Sequence, residues 1–223
     1  MQQYVDYKDT FSPTPDSTAT LTIISTGTAE DLELHSVDFT QADFTQAFIQ
    51  ADRLTEGVNG RFFISPPPGF PHTNTSGIVE EVLRSLYGVP SSPHALHKTL
   101  DCYFKSEGFT NAGFEESVWR RPADGKYAVD IVISCHVDDS LMACSSLSVM
   151  RKFKSALLQR FTGTNEGTVT YYLGCQLIRD RPNRTSHLVQ TAYTERLLPT
   201  FDMWDEVHTV ATPMIPGTRL LYG

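Results

Sequence analysis

Two adjacent aspartates, Asp138 and Asp139, interrupt an otherwise apolar stretch. Ala128-Val129-Asp130-Ile131-Val132-Ile133-Ser134-Cys135-His136-Val137 precedes them, and Ser140-Leu141-Met142-Ala143-Cys144 follows. β-Branched enrichment on both sides predicts two strands, and the short acidic link predicts a hairpin with both carboxylates at its tip. Aspartate is also a favoured turn residue, so a solvated pair is the plain alternative. The flanking runs, though, are too apolar for an exposed ribbon, and the tip is expected to project from the end of a buried sheet. Adjacent like charges are costly there unless a cation neutralises them. Mg²⁺ suits the place, because a small hard cation takes oxygen ligands and commonly needs only one or two carboxylates plus phosphate oxygens. A third carboxylate from another strand would complete a site for two ions, and Asp43 is the candidate.

The elements that must hold these groups can be read from period and punctuation. Residues 4–15 carry two prolines and no period, which predicts a coil leading into the domain. A helical or mixed stretch around 19–28 follows, then Leu32-Glu33-Leu34-His35-Ser36-Val37-Asp38-Phe39, whose alternation predicts a half-buried strand. A tandem repeat comes next: Asp38-Phe39-Thr40-Gln41-Ala42, then Asp43-Phe44-Thr45-Gln46-Ala47. It leaves two candidate first aspartates, Asp38 and Asp43. Pro66-Pro67-Pro68-Gly69-Phe70-Pro71 predicts a rigid extended loop. Helices are expected over 79–87 and 94–107, with Gly88 to Pro93 as the turn between them. Ser145 and Ser146 cap a basic helix over 147–161. A strand over 169–178, a basic turn over 179–184, a short strand over 187–189 and a helix over 192–198 complete the reading.

Composition bounds what this scaffold can be. The chain has 223 residues and four cysteines without a CxxC pair, enough length to bury a core without disulfides. The polar, acidic start predicts a reduced intracellular protein rather than a secreted one. No run approaches the ~18 to 20 apolar residues of a membrane span. His94 and His97 could share a helix face, but nothing completes a tetrahedral zinc set. The net charge of −8 is a poor match for a free-standing nucleic-acid binder. That acidity is N-terminal: residues 1–119 hold 6 Lys+Arg against 16 Asp+Glu, and residues 120–223 hold 12 against 10.

The motifs, taken in order, resemble the copia-type retrotransposon reverse transcriptases. Asp43-Phe44-Thr45-Gln46-Ala47-Phe48-Ile49-Gln50-Ala51-Asp52 is similar to that family's first catalytic motif, and Ile64-Ser65-Pro66-Pro67-Pro68-Gly69-Phe70 to the proline-glycine loop after it. Ser85-Leu86-Tyr87-Gly88 through Ser92-Pro93, Gly108-Phe109-Thr110 with Ser117-Val118-Trp119, His136-Val137-Asp138-Asp139, Tyr171-Tyr172-Leu173-Gly174 and Ala211-Thr212-Pro213-Met214 continue the series.

The resemblance implies an α+β fold: a polymerase palm with a ferredoxin-like antiparallel sheet, helices on one face, and partial fingers. Residues 1–30 would be lead-in and partial fingers, and residues 31–223 the palm with a thumb-proximal end. It implies an RNA-directed DNA polymerase that uses two Mg²⁺ ions, or Mn²⁺, held by Asp43, Asp138 and Asp139. Phe44, Phe48 and Ser91 fall around the nucleotide. Phe48 matches a bulky residue that screens the sugar 2′ position, and reads equally as a core aromatic. Ser91 stands where the family has Gln, and His136 replaces an aromatic. The implied partners are an RNA or DNA template with primer, dNTPs, and the RNase H and integrase regions of a parent polyprotein; no membrane is implied. The alternatives are a degenerate, inactive palm fragment and a two-metal nuclease or phosphatase on the same carboxylates. The basic helix and the 179–184 turn are candidate phosphate contacts.

Overall fold

The computed structural model describes residues 10–39, 47–52, 62–66, 69, 78–113, 115–123, 130–201 and 203. Helix α1 spans Ser17–Ala29 and leads into strand β1, Glu33–Asp38. Two short strands follow, β2 (Phe62–Ile64) and β3 (Glu80–Val82), and then helix α2, Ser92–Ser106. Strands β4 (Thr110–Asn111), β5 (Val118–Arg121), β6 (Ile131–His136) and β7 (Asp139–Cys144) precede helix α3, Leu147–Arg160. The chain continues through β8 (Thr164–Thr168), β9 (Tyr171–Tyr172), β10 (Cys175–Asp180) and β11 (Thr185–Val189) to helix α4, Thr191–Thr200.

Six strands form the main sheet in the order β4-β5-β6-β7-β1-β8, and every pairing in it is antiparallel. The period-2 pattern sorts its side chains onto two faces. Val37, Ile131, Ile133 and Met142 pack on one side against Leu96, Leu100 and Phe104 of α2 and Met150, Phe153 and Leu157 of α3. Leu34, Leu141 and Ala143 pack on the other against Ile23 and Ile24 of α1, with Tyr172 and Leu177 of the smaller β9–β11 sheet. The mixed α and antiparallel-β architecture is as expected, but helices on one face is not. Helix α1 covers the opposite face, because Ile23 and Ile24 give it an apolar stripe and Gly27 lets it approach. A Cβ at Gly27 would lie 2.6 Å from Leu34 Cδ2.

Local chemistry explains the helix ends. Asp16 caps α1 by accepting from the Thr18 N–H at 2.8 Å, and Ser146 caps α3 through the Val149 N–H. Other expectations are corrected. The stretch over 79–87 is β3 followed by turns, not a helix. The single strand over 169–178 is a β9–β10 hairpin, since Leu173 and Gly174 both adopt positive φ (47° and 82°) and reverse the chain. Among the described residues, no helix is long and apolar enough to cross a membrane.

Candidate functional site

The carboxylates meet at one end of the three central strands. Asp139 opens β7, and its ladder partners are His136 on β6 and Asp38 on β1. Direct antiparallel partners sit roughly 4.5–5.5 Å apart at Cα and point to the same face. His136, Asp139 and Asp38 therefore form a rung on the side of the sheet away from α2 and α3.

The turn lies one residue earlier than the sequence implies. With His136 paired to Asp139, the two turn residues are Val137 and Asp138, and Asp139 belongs to the strand. Val137 takes φ 59° while Asp138 does not turn positive, a pattern that favours glycine at the first position. A β-branched residue there stores strain of about 1–3 kcal/mol.

The backbone that presents Asp38 is fixed from several sides. The Phe39 N–H donates to the Asp138 carbonyl at 2.9 Å, tying the end of β1 to the turn. Ser140 Oγ donates to the Val37 carbonyl at 2.8 Å. The buried Gln50 amide donates to the Phe39 carbonyl at 2.8 Å and the Thr162 carbonyl at 2.6 Å, and accepts from the Thr162 N–H. Gly163 lies flat against this backbone: a Cβ there would sit 2.4 Å from the Asp38 carbonyl oxygen.

Electrostatics mark the same spot. Burial raises the Asp139 carboxyl above its ordinary value, and the charges of Asp138, Asp38 and Glu166 add to this while His136 opposes it. The Tyr87 phenol is also raised, by burial first and then by Asp138 and Asp38. Its ring stands 4.5 Å from that of Phe48, which is 6% exposed within the 3-10 helix Ala47–Gln50. Tyr87 thus joins the acidic end of the sheet, a placement the sequence reading did not assign. Its signal was membership of the Leu-Tyr-Gly segment.

Asp43 and Phe44 lie outside the described residues. Ser91 is buried at the start of α2, its carbonyl accepting from the Ala95 N–H at 3.0 Å. The basic turn is exposed but engaged with the fold: Arg179 donates to the Gly27 and Leu32 carbonyls, Arg181 pairs with Asp31 and Glu33, and Arg184 donates to the Ala29 carbonyl. His94 Nδ1 and His97 Nε2 are engaged by the Phe11 and Glu116 carbonyls.

Among the described residues, no three His, Cys, Asp or Glu groups converge closely enough to hold a metal ion. The donor chemistry nevertheless fits a hard divalent cation, with carboxylate oxygens on neighbouring strands and in the turn, and with the Asp139 carboxyl raised by burial first and then by its neighbours' charge.

Residues 2–216 match the family described as reverse transcriptase (RNA-dependent DNA polymerase). The chain belongs to that family. This reverse transcriptase-family chain is 27% identical over 217 residues to the Retrovirus-related Pol polyprotein from transposon TNT 1-94 of Nicotiana tabacum, covering 97% of the chain and 15% of the relative. It is 30% identical over 216 residues to the corresponding RE2 polyprotein of Arabidopsis thaliana, covering 97% and 14%. The RE1 polyprotein of the same plant gives the same figures. These relatives are copia-type, as the motif series implied, and the chain spans about a seventh of their length. No solved structure matches.

Proposed function

We propose that the chain is the RNA-directed DNA polymerase domain of a copia-type retrotransposon Pol polyprotein, with β1, β6 and β7 as the centre of a polymerase palm and Asp38, Asp138 and Asp139 at its reacting end. The observation that carries this reading is the β1–β7 register, which sets Asp38 across from Asp139 and beside the turn holding Asp138. Asp43 is the competing first carboxylate, with Ala47-Phe48 at the family's spacing; Asp38 has the strand position.

Asp138 and one of those two aspartates would hold Mg²⁺ or Mn²⁺, with Asp139 assisting. Divalent ions held by these carboxylates would supply positive charge to offset the charge that develops on the phosphate in an in-line displacement. In that displacement a primer 3′-hydroxyl attacks the α-phosphate of a dNTP on an RNA or DNA template, and pyrophosphate leaves. Phe48 is buried in the core and backs the exposed Tyr87 ring, so Tyr87 is the aromatic that would stand beside the carboxylates and the sugar. RNase H and integrase regions would belong to the parent polyprotein.

A second reading, an inactive remnant, is favoured by the tandem repeat, which inserts five residues between Asp38 and the Ala47-Phe48 pair relative to Asp43. Primer extension on an RNA template with Mg²⁺ separates the two. Extension that disappears in Asp138→Asn supports the polymerase, and whichever of Asp38→Asn and Asp43→Asn abolishes it identifies the first ligand. No extension, with a thermal midpoint unmoved by Mg²⁺, supports the remnant.

A further inference from the structure

Helix α3 carries a lysine inside the protein. Lys154 is 2% exposed, and its Nζ donates to the Ser36 carbonyl at 3.2 Å and to His35 Nδ1 at 3.3 Å. The Ser36 carbonyl lies where the β1–β8 ladder slips: Ser36 pairs with Gly167 but Val37 pairs with Asn165, leaving Glu166 as the extra residue of a bulge. Bulges disrupt the ladder locally and re-aim the strand beyond them. Asp38 is two residues further on.

We propose that Lys154 is a positioning residue: its buried ammonium grips the Ser36 carbonyl at the bulge and so sets the direction in which β1 delivers Asp38 beside Asp139. The inference rests on the reading of Asp38 as a carboxylate of the reacting centre.

Stability alone does not explain a lysine here. Moving an ammonium out of water is expensive, and an unbranched apolar chain fills similar space without that penalty. Burial presses the Lys154 ammonium down to about 8, with Glu166 on β8 opposing. Burial and the Lys154 charge, with a smaller contribution from Arg151, press His35 down as well, against Glu33. An ammonium can only donate, so His35 Nδ1 accepts from Lys154 and the ring N–H is on Nε2, 3.7 Å from the Glu33 carboxylate.

The full chain and its Lys154→Met variant test this by three readouts: thermal midpoint, amide hydrogen exchange over residues 33–39, and Mn²⁺ binding by electron paramagnetic resonance. The expected variant melts no lower than the parent, yet residues 33–39 exchange about tenfold faster, as loss of a hydrogen bond from a charged donor implies. Its Mn²⁺ affinity falls alongside. Unchanged exchange over 33–39, or faster exchange spread evenly with a lower midpoint, overturns the proposal. A parent chain that takes up no Mn²⁺ overturns the metal reading instead, and the exchange result still decides the role of Lys154. Lysine ¹⁵N NMR of the parent needs no variant to fold: a slowly exchanging Nζ is expected, and only fast-exchanging ammonium signals overturn the grip.

Discussion

Asp38 on β1 and Asp139 on β7 are direct antiparallel partners, so two carboxylates share one face a single ladder step apart. The crowding has a measurable sign. Asp139 is raised by burial and by Asp138 and Asp38, so the folded chain keeps a proton that the unfolded chain releases. Stability contributed by this group is therefore lost as pH rises from the ordinary carboxylate value through the raised one. Asp139→Asn should raise the thermal midpoint at neutral pH in EDTA, because it removes the crowded buried charge. Mg²⁺ should raise the parent's midpoint more than the variant's. A variant that melts lower in EDTA contradicts the crowding.

Gly163 is the contact through which the loop after α3 supports the same strand end. Its missing Cβ would meet the Asp38 carbonyl oxygen at 2.4 Å and Phe39 Cα at 3.1 Å, both backbone atoms that cannot swing aside. Gly163→Ala should destabilise by about 1–3 kcal/mol in denaturant titration, as overpacking does. Local exchange over residues 36–39 should rise with it. A neutral substitution would mean that the loop after α3 and the end of β1 lie further apart.

Much of this arrangement is legible in the sequence where local chemistry and packing agree. The β6–β7 hairpin and α3 follow from β-branched runs, a serine cap and an apolar stripe. Residues 79–87 mislead because Val79, Val82, Leu83 and Leu86 fall at helical spacing, while the chain there makes β3 and turns. Strand β8, Thr164–Thr168, is polar and mostly exposed, so its place at the sheet edge leaves no apolar alternation to read. Lys154 reads as part of a basic solvated face and is in fact buried, because only the tertiary fold shows which way α3 is rolled. At the site, the Asp138-Asp139 pair is visible from composition alone. Which copy of the repeat ends in the sheet depends on strand register, and the alternation of 32–39 already ran as far as Asp38.

The guanidinium groups on the second sheet separate hydrogen bonding from ion pairing. Arg179 donates to the Leu32 carbonyl at 3.0 Å and the Gly27 carbonyl at 2.9 Å, anchoring the C-terminal end of α1. Arg181 pairs with Asp31 at 2.6 Å and Glu33 at 3.0 Å, but its side chain is 41% exposed. Arg179→Ala should cost about 1.5–3 kcal/mol and Arg181→Ala no more than about 1 kcal/mol. Added salt should shrink the second loss and leave the first. The reverse order in urea titrations would overturn the assignment of Arg179 as the anchor.

His97 gives the fold an acid-sensitive joint. Its Nε2 donates to the Glu116 carbonyl at 3.3 Å, and its ring centroid lies 5.4 Å from that of Trp119. Burial lowers its tendency to protonate, with the Glu116 hydrogen bond and Asp101 opposing. A base depressed in the folded state leaves stability unchanged above its unfolded value of about 6.5, and stability is lost as pH falls below that value, because the unfolded chain then binds the extra proton. His35, depressed by burial and Lys154, adds a loss of the same sign. His97→Gln, which keeps an N–H for the Glu116 carbonyl but cannot titrate, should lose less thermal midpoint than the parent between about pH 6.5 and pH 5. Parallel curves for parent and variant would show that His97 is solvated rather than held against Trp119.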